Sequence, residues 1–269
     1  MRIGSRDFAT TGHTYIMGIL NVTPDSFSDG GKFNQIDAAL KHAEEMIRDG
    51  ADVIDIGGES TRPGYTKISD EEETDRVVPV IEAVKKEFGI PISVDTYKSG
   101  VAEAAAQAGA DLINDIWGLK YDARMAEVIA KSGLACCLMH NRDNTEYRNF
   151  MEDVKQDLRE TIVLAKAAKI ADDKIILDPG VGFAKSYENN LEVIRRLKEF
   201  NELKYPVLLG TSRKSVIGLA LDLPAAERVE GTIVTTVMAV EAGCMFVRVH
   251  DVKENHRAIQ MAEAILDRK

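Results

Sequence analysis

Cysteine is scarce in this chain. Three occur in 269 residues, Cys136, Cys137 and Cys244, and the first two are neighbours inside the apolar run Leu134–Met139. There is no CxxC pair and no metal-type spacing of cysteine and histidine. That excludes a zinc module and a disulfide scaffold, and it predicts three buried free thiols in a reducing compartment. No apolar run approaches the roughly 18 residues of a membrane helix. The N-terminal stretch MRIGSRDFATTG lacks the apolar centre of a secretory signal, so the expected location is cytoplasmic. Positive charge is in deficit, with 34 Lys and Arg against 44 Asp and Glu and a net charge of −10. An acidic surface argues against nucleic acid and anionic membranes as partners. It leaves room for an anionic substrate, which needs only a few local cations or a bound metal.

What is present is an ordinary globular composition, 45% hydrophobic and 29% charged, able to bury a core without staples. Short apolar runs alternate with longer amphipathic ones. The predicted strands are Tyr15–Asn21, Val53–Gly57, Ile92–Asp95, Leu112–Asp115, Leu134–Met139, Ile175–Asp178, Val207–Gly210 and Phe246–His250. Several are continuously hydrophobic, as strands buried on both faces of a parallel sheet should be. Helical patterns fill the gaps. Ile36, Ala39, Leu40, Ala43, Met46 and Ile47 form one stripe that Gly50 ends. Ser69 and Glu72 read as a capping box. Val77, Val80, Ile81, Val84 and Phe88 follow it, with Pro79 predicting a kink or a late start. The last helix should bury Ala258, Ile259, Ala262, Ile265 and Leu266. Eight strand–helix units without a linker predict a (β/α)8 TIM barrel, α/β in class, as a single domain over residues 1–269. A doubly wound open sheet lacks support, because there is neither GxGxxG after the first strand nor a Walker A motif.

Active sites of such barrels lie at the carboxyl ends of the strands. Here those ends carry Asn21, Glu59, Asp95, Asn114 with Asp115, His140, Asp178, and Arg248 with His250. One such residue is an ordinary turn cap. A ring of them around one mouth is a ligand-binding constellation. Asp95, Asn114 and Asp178 suit a flat heterocycle bearing several N–H groups, since one carboxylate accepts two parallel N–H bonds. Arg62, Lys214, Arg248 and His250 suit a phosphate or pyrophosphate. Asn21 is a neutral oxygen donor able to hold Mg2+ together with substrate phosphates.

Two long loops follow the first two strands, Val22–Gly31 and Gly57–Tyr65. They read either as lids or as surface turns, and Phe27 in a polar loop favours a lid. Thr211–Ser215 precedes a helical run and reads equally as an anion cradle or as a capping turn. His13, His42 and His256 read as structural, and Trp117 as packing near the rim. Asp55, between Ile54 and Ile56, needs a buried partner, and the pocket lysine is the expected one.

These motifs together resemble the dihydropteroate synthase family. The matching segments are Ile16–Gly31 (IMGILNVTPDSFSDGG), Gly50–Pro63 (GADVIDIGGESTRP), Ser93–Thr96, Leu177–Phe183, Gly210–Ser215 and Arg248–Asp251, and the resemblance spans essentially the whole chain. It implies condensation of 6-hydroxymethyl-7,8-dihydropterin pyrophosphate with 4-aminobenzoate to give 7,8-dihydropteroate and pyrophosphate. The implied course is C–O cleavage to a pterin-methyl cation, then attack by the amine. It implies Asp95, Lys214, Arg248 and His250 as catalytic residues. A pterin pocket of Asp95, Asn114, Asp178, Lys214 and Arg248 is implied, with a pyrophosphate pocket of Asn21, Arg62, Arg248 and His250. Mg2+ would sit on Asn21. The implied 4-aminobenzoate pocket consists of Phe27, Thr61, Pro63, Phe183, Lys214 and Ser215. A homodimer is implied through late helices, and the stripe Val229, Ile233, Val237 and Val240 could contribute to it or pack on the barrel. The chain departs from the usual pattern at His140–Asn144, where the family more often has methionine and glycine, and at Ala184, where glycine is common. A corrinoid-dependent methyltransferase is similar in barrel and pterin-recognising residues, yet accounts for neither the Asn21–Gly31 loop nor Ser212–Ser215. A non-catalytic pterin-binding relative would bind without turnover.

Overall fold

The computed structural model describes residues 1–23, 32–60 and 66–268. Eight parallel strands form one sheet: β3 (Tyr15–Asn21), β4 (Val53–Gly57), β5 (Ile92–Asp95), β6 (Leu112–Asp115), β7 (Ala135–Met139), β8 (Ile175–Asp178), β9 (Leu208–Leu209) and β10 (Phe246–Val249). The sheet runs β8-β7-β6-β5-β4-β3-β10-β9. A parallel bridge between Leu177 and Val207, with Leu177 N donating to Pro206 O at 2.9 Å, brings the two ends together into a nearly closed barrel. The predicted strands are those observed. The differences are one residue at the start of β7, a shorter β9, and His250 falling just beyond β10.

A two-residue hairpin, β1 (Arg2–Ile3) with β2 (Arg6–Asp7), precedes the barrel and was not legible as periodicity, being too short to show any. Ile3 and the following Phe8 are buried against Met17, Val53, Leu112, Ile176, Leu208 and Phe246. They plug the end of the barrel opposite the functional mouth. Each such side chain contributes about 1.5–3 kcal/mol on full burial.

The alternation of side chains along a strand divides the barrel into two cores. Ile16, Leu20, Ile54, Ile56, Ile92, Val94, Ile113, Cys136, Leu138, Ile175, Leu177, Leu209, Val247 and Val249 pack on the surrounding helices. Met17, Val53, Leu112, Cys137, Ile176, Leu208 and Phe246 fill the interior. Counting on by two from the interior set reaches Asp55, Asn114, Asp178 and Arg248. All three cysteines are buried and free.

The helices are α1 (Lys32–Arg48), α2 (Asp70–Glu87), α3 (Ser99–Ala108), α4 (Met125–Ser132), α5 (Phe150–Ala167), α6 (Tyr187–Arg195), α7 (Ser215–Leu221), α8 (Val229–Ala242) and α9 (Val252–Ile265). Gly50 ends α1 at φ +108°, where an added Cβ would collide with the His256 ring, 1.6 Å from Nδ1. Ser69 caps α2 by accepting from Glu72 N at 3.1 Å. The Glu72 carboxylate pairs with Arg76. Pro79 lies within a helix that starts at Asp70 as the cap dictates, so the late start is not seen. In α9, Ile259 and Ala262 are buried, whereas Ile265 and Leu266 at its end are exposed; the predicted stripe outruns the barrel it packs on. In α8, Val240 is buried and Val237 packs on the core, while Val234 is exposed. Of the predicted stripe, Val237 and Val240 therefore serve the barrel, while Val229 and Ile233 are half-buried.

Candidate active site

Asp55, Asn114 and Arg248 sit on alternate strands of the barrel, the arrangement in which interior side chains share a layer. Arg248 Nε donates to Asp55 Oδ2 at 2.6 Å, and Arg248 Nη2 donates to Asp95 Oδ2 at 2.5 Å. Asn114 Nδ2 reaches the same Asp55 oxygen at 3.5 Å. The partner of Asp55 is thus Arg248 rather than the pocket lysine. Among the described residues, the second oxygens of Asp55 and Asp95 and the Ser93 hydroxyl are buried without a hydrogen-bond partner. Unmet acceptors in a buried position are costly unless a ligand or water satisfies them. Burial, with the charges of Asp55 and Glu73, pushes the Asp95 carboxyl up to about 7 against the pull of Arg248 and Lys214.

Lys214 reaches the mouth from the turn after β9. Arg213 adopts a left-handed φ of +57°, which costs a non-glycine residue about 1–2 kcal/mol. Its guanidinium pairs with Asp251, its N–H donates to Thr232 Oγ1 at 3.2 Å, and its carbonyl accepts from Arg228 at 2.9 Å. Fixed in this way, the turn delivers Lys214 Nζ to Val181 O at 2.5 Å and over the Phe183 ring, 4.8 Å from its centroid. Burial pulls the Lys214 ammonium down to about 8, with Asp178 opposing and Arg248 adding to the fall. Burial raises the Asp178 carboxyl, against Lys214 and the Gly180 N–H that donates to it at 2.7 Å. Ser212 Oγ accepts from His250 N at 3.1 Å and lies 3.0 Å from His250 Nδ1. The Thr211–Ser215 turn therefore docks on the end of β10, a use that neither sequence reading anticipated.

Asn21 ends β3 beside Gly57, where an added Cβ would stand 3.7 Å from Asn21 Oδ1 and 3.5 Å from Asp95 Cβ. The described residues contain no cluster of three or more His, Cys, Asp and Glu that could cage a metal. One amide oxygen beside a carboxylate fits Mg2+, which takes few protein ligands and completes its shell with water and phosphate. Phe183 packs with Trp117, Tyr97, Ile116 and Met139, which places Trp117 at the rim as expected. Ser215 opens α7 and is exposed. Phe27, Thr61, Arg62 and Pro63, with most of both loops, lie outside the described residues. The second loop springs from a clasp at its base. Glu59 accepts from Ile68 N at 2.9 Å, Tyr97 Oη at 2.5 Å and Lys98 Nζ at 2.7 Å, and Lys98 also pairs with Glu73 and donates to Ile68 O. His13 pairs with Glu263, and His256 Nδ1 lies 3.0 Å from Asp49 O, in keeping with structural roles.

The family described as pterin binding enzyme matches residues 17–250. A dihydropteroate synthase of Clostridium beijerinckii is 62% identical over 100% of both chains. The chain belongs to the dihydropteroate synthase family. It is accordingly a transferase of folate biosynthesis. A dihydropteroate synthase of Clostridium difficile, solved in the presence of pteroic acid, superposes with a TM-score of 0.93 at 52% identity over 100% of both chains. The Xanthomonas albilineans dihydropteroate synthase, solved with 4-aminobenzoic acid, gives 0.90 at 39% identity over 94% of this chain and 93% of that one. Against this family background, Asp55 and Lys185 are side chains near the mouth that sequence reasoning gave no substrate-binding role. The parity of Asp55 with Val53 and Gly57 was the signal for the first, and Lys185 carried none. His140 stood in the ring of strand-end residues without a role of its own.

Proposed function

We propose that this dihydropteroate synthase binds the pterin of its pyrophosphate substrate on Asp95, Asn114, Asp178 and Lys214, with Arg248 against the ring. The observation that carries the assignment is the buried, unpartnered oxygen of Asp95 beside Asn114 and Arg248. An amino-pyrimidinone edge offers the N–H groups that such acceptors need. The pyrophosphate is assigned to Asn21, Arg62, Arg248 and His250, and 4-aminobenzoate to Phe27, Thr61, Pro63, Phe183, Lys214 and Ser215. Pteroic acid on the Clostridium relative and 4-aminobenzoic acid on the Xanthomonas one support both substrate classes.

Asp95 and Asp178, ionised, stabilise positive charge that develops on the pterin methylene as the C–O bond breaks. Arg62, Arg248 and His250 stabilise the pyrophosphate as it leaves. Charges set before the reaction act as electrostatic preorganisation, each worth about 2.7–4 kcal/mol. Mg2+, held by Asn21, would supply Lewis-acid neutralisation of the pyrophosphate oxygens. The neutral arylamine, held by the Lys214 ammonium and the Phe183 ring, attacks the pterin methylene, and the N–H proton it sheds on forming the C–N bond leaves with the pyrophosphate. No covalent enzyme intermediate is needed.

Dimerisation and a cytoplasmic location belong to the same proposal. Leu219 and Leu221 on α7, Val234 on α8, and Met261 and Ile265 on α9 are exposed apolar side chains on neighbouring helices, and a second copy is the occupant we assign to them. No described helix is long and apolar enough to cross a membrane.

The test is turnover of 6-hydroxymethyl-7,8-dihydropterin pyrophosphate with 4-aminobenzoate, following pyrophosphate and dihydropteroate together, with Mg2+ and with a chelator. Metal-dependent appearance of both products in equal amounts supports the reading. Binding of the pterin without either product would contradict it.

A further inference from the structure

A second cation, half-buried, enters the turn that carries Phe183. Lys185 Nζ donates to Gly180 O at 2.9 Å and to Phe183 O at 3.0 Å, and lies 2.8 Å from His140 Nδ1. Three acceptors match the three N–H groups of an ammonium. With Nδ1 accepting, the His140 ring proton is on Nε2, which lies 2.9 Å from Asp157 Oδ2. Burial holds His140 down to about 4, so the ring stays neutral in this role. Asp157, on α5, also takes Arg142 Nε at 2.5 Å and Nη2 at 3.2 Å. Burial lowers the Lys185 ammonium to about 7, with Asp178 opposing and Lys214 adding to the fall.

The rest of the turn is equally committed. Val181 O takes Lys214, Gly182 N donates to Asn190 Oδ1 at 2.6 Å, and Ala184 O takes the Tyr147 hydroxyl at 2.8 Å. Ala184 has a left-handed φ of +47°, which a non-glycine residue holds only when its surroundings fix it. Lys185 therefore grips the carbonyls on either side of the one that anchors Lys214. The segment from His140 to Tyr147, whose stretch His140–Asn144 departs from the family pattern, provides the other end of the brace.

We propose that Lys185 is a positioning residue for the arylamine side of the site, setting the Gly180–Phe183 turn and through it the Phe183 ring. The inference rests on the assignment of Phe183 to 4-aminobenzoate. Its signature is a selective weakening of that substrate, because a displaced wall harms the ligand that it orients.

The experiment compares Lys185→Met, Lys185→Gln and Phe183→Ala with the wild-type enzyme, measuring kcat, both KM values and thermal stability. Lys185→Met should raise the KM for 4-aminobenzoate about tenfold while the KM for the pterin substrate moves less than about threefold. Lys185→Gln, which keeps an N–H2 group, should fall between it and the wild type, and it carries the test if the methionine variant does not fold. A rise in the arylamine KM for Phe183→Ala alone would overturn the inference and leave the site assignment standing. So would equal rises in both KM values for the Lys185 variants. No change in any of the three would overturn both.

Discussion

Asp55 Oδ2 lies 2.6 Å from Arg248 Nε, joining residues 193 apart in sequence beneath the mouth of the barrel. The carboxylate is fully buried, and the guanidinium is shared with Asp95. Burial opposes the charge on Arg248, but Asp55 and Asp95 outweigh it and push the group above its ordinary value. Removing one partner of a buried pair leaves the other uncompensated and costs about 3–5 kcal/mol. With Asp95 still in place, Asp55→Ala should lie near the lower end, at about 3 kcal/mol. Chemical denaturation followed by circular dichroism would measure it, and an unchanged midpoint would remove Asp55 as the anchor of Arg248.

Lys214→Ala should lower kcat/KM by a factor of about 100 to 1,000, the usual loss for one preorganised donor. The side chain sits over Phe183 and beside Asp178, so both substrates should feel the change. Full activity in that variant would move the site elsewhere.

The pH–rate profile should be a bell. Asp95 acts ionised, and burial has raised it to about 7, so activity should climb as pH rises through that value. Lys214 acts protonated, and burial has lowered it to about 8, so activity should fall above that pH. Replacing Asp95 by Asn should flatten the acidic limb of kcat/KM in whatever activity remains. A limb unchanged in that variant would assign it to another group.

The cysteines should be silent in the native protein. Burial raises the thiols of Cys136, Cys137 and Cys244 above their ordinary range, and the thiolate is the reactive form. A thiol reagent should titrate none of them in buffer and all three in denaturant. Rapid native labelling would show that the barrel opens locally.

Val234→Asp and Ile265→Asp place a charge on the exposed apolar faces of α8 and α9. If a second copy covers those faces, both variants should be monomeric by light scattering after size exclusion, with the wild type dimeric. A wild-type monomer would mean that the patch has another occupant.

Much of this was legible beforehand. The strand bounds could be read because strands buried on both faces are short, dense in β-branched residues and ended by polar ones. Asp95, Asn114, Asp178 and Arg248 could be picked out because a polar residue closing an apolar strand has few other uses when it recurs around a ring. The capping role of Ser69 is local and could be read from four residues. The hairpin at Arg2–Asp7 could not, because its two-residue strands give no period. The ends of amphipathic helices misled for a different reason: Ile265 keeps the helical spacing, but the barrel surface beneath it has already ended.

The sequence by itself determined where the strands end and which end of the barrel carries the chemistry, since both follow from short apolar runs closed by polar residues. Tertiary structure alone decided who meets whom. Asp55 pairs with Arg248 because β4 and β10 flank β3 when the sheet closes. His140 meets Lys185 because β7 and β8 are neighbours with their following loops side by side. Local propensity acts over a few residues, whereas barrel closure and register set distances between residues far apart in the chain.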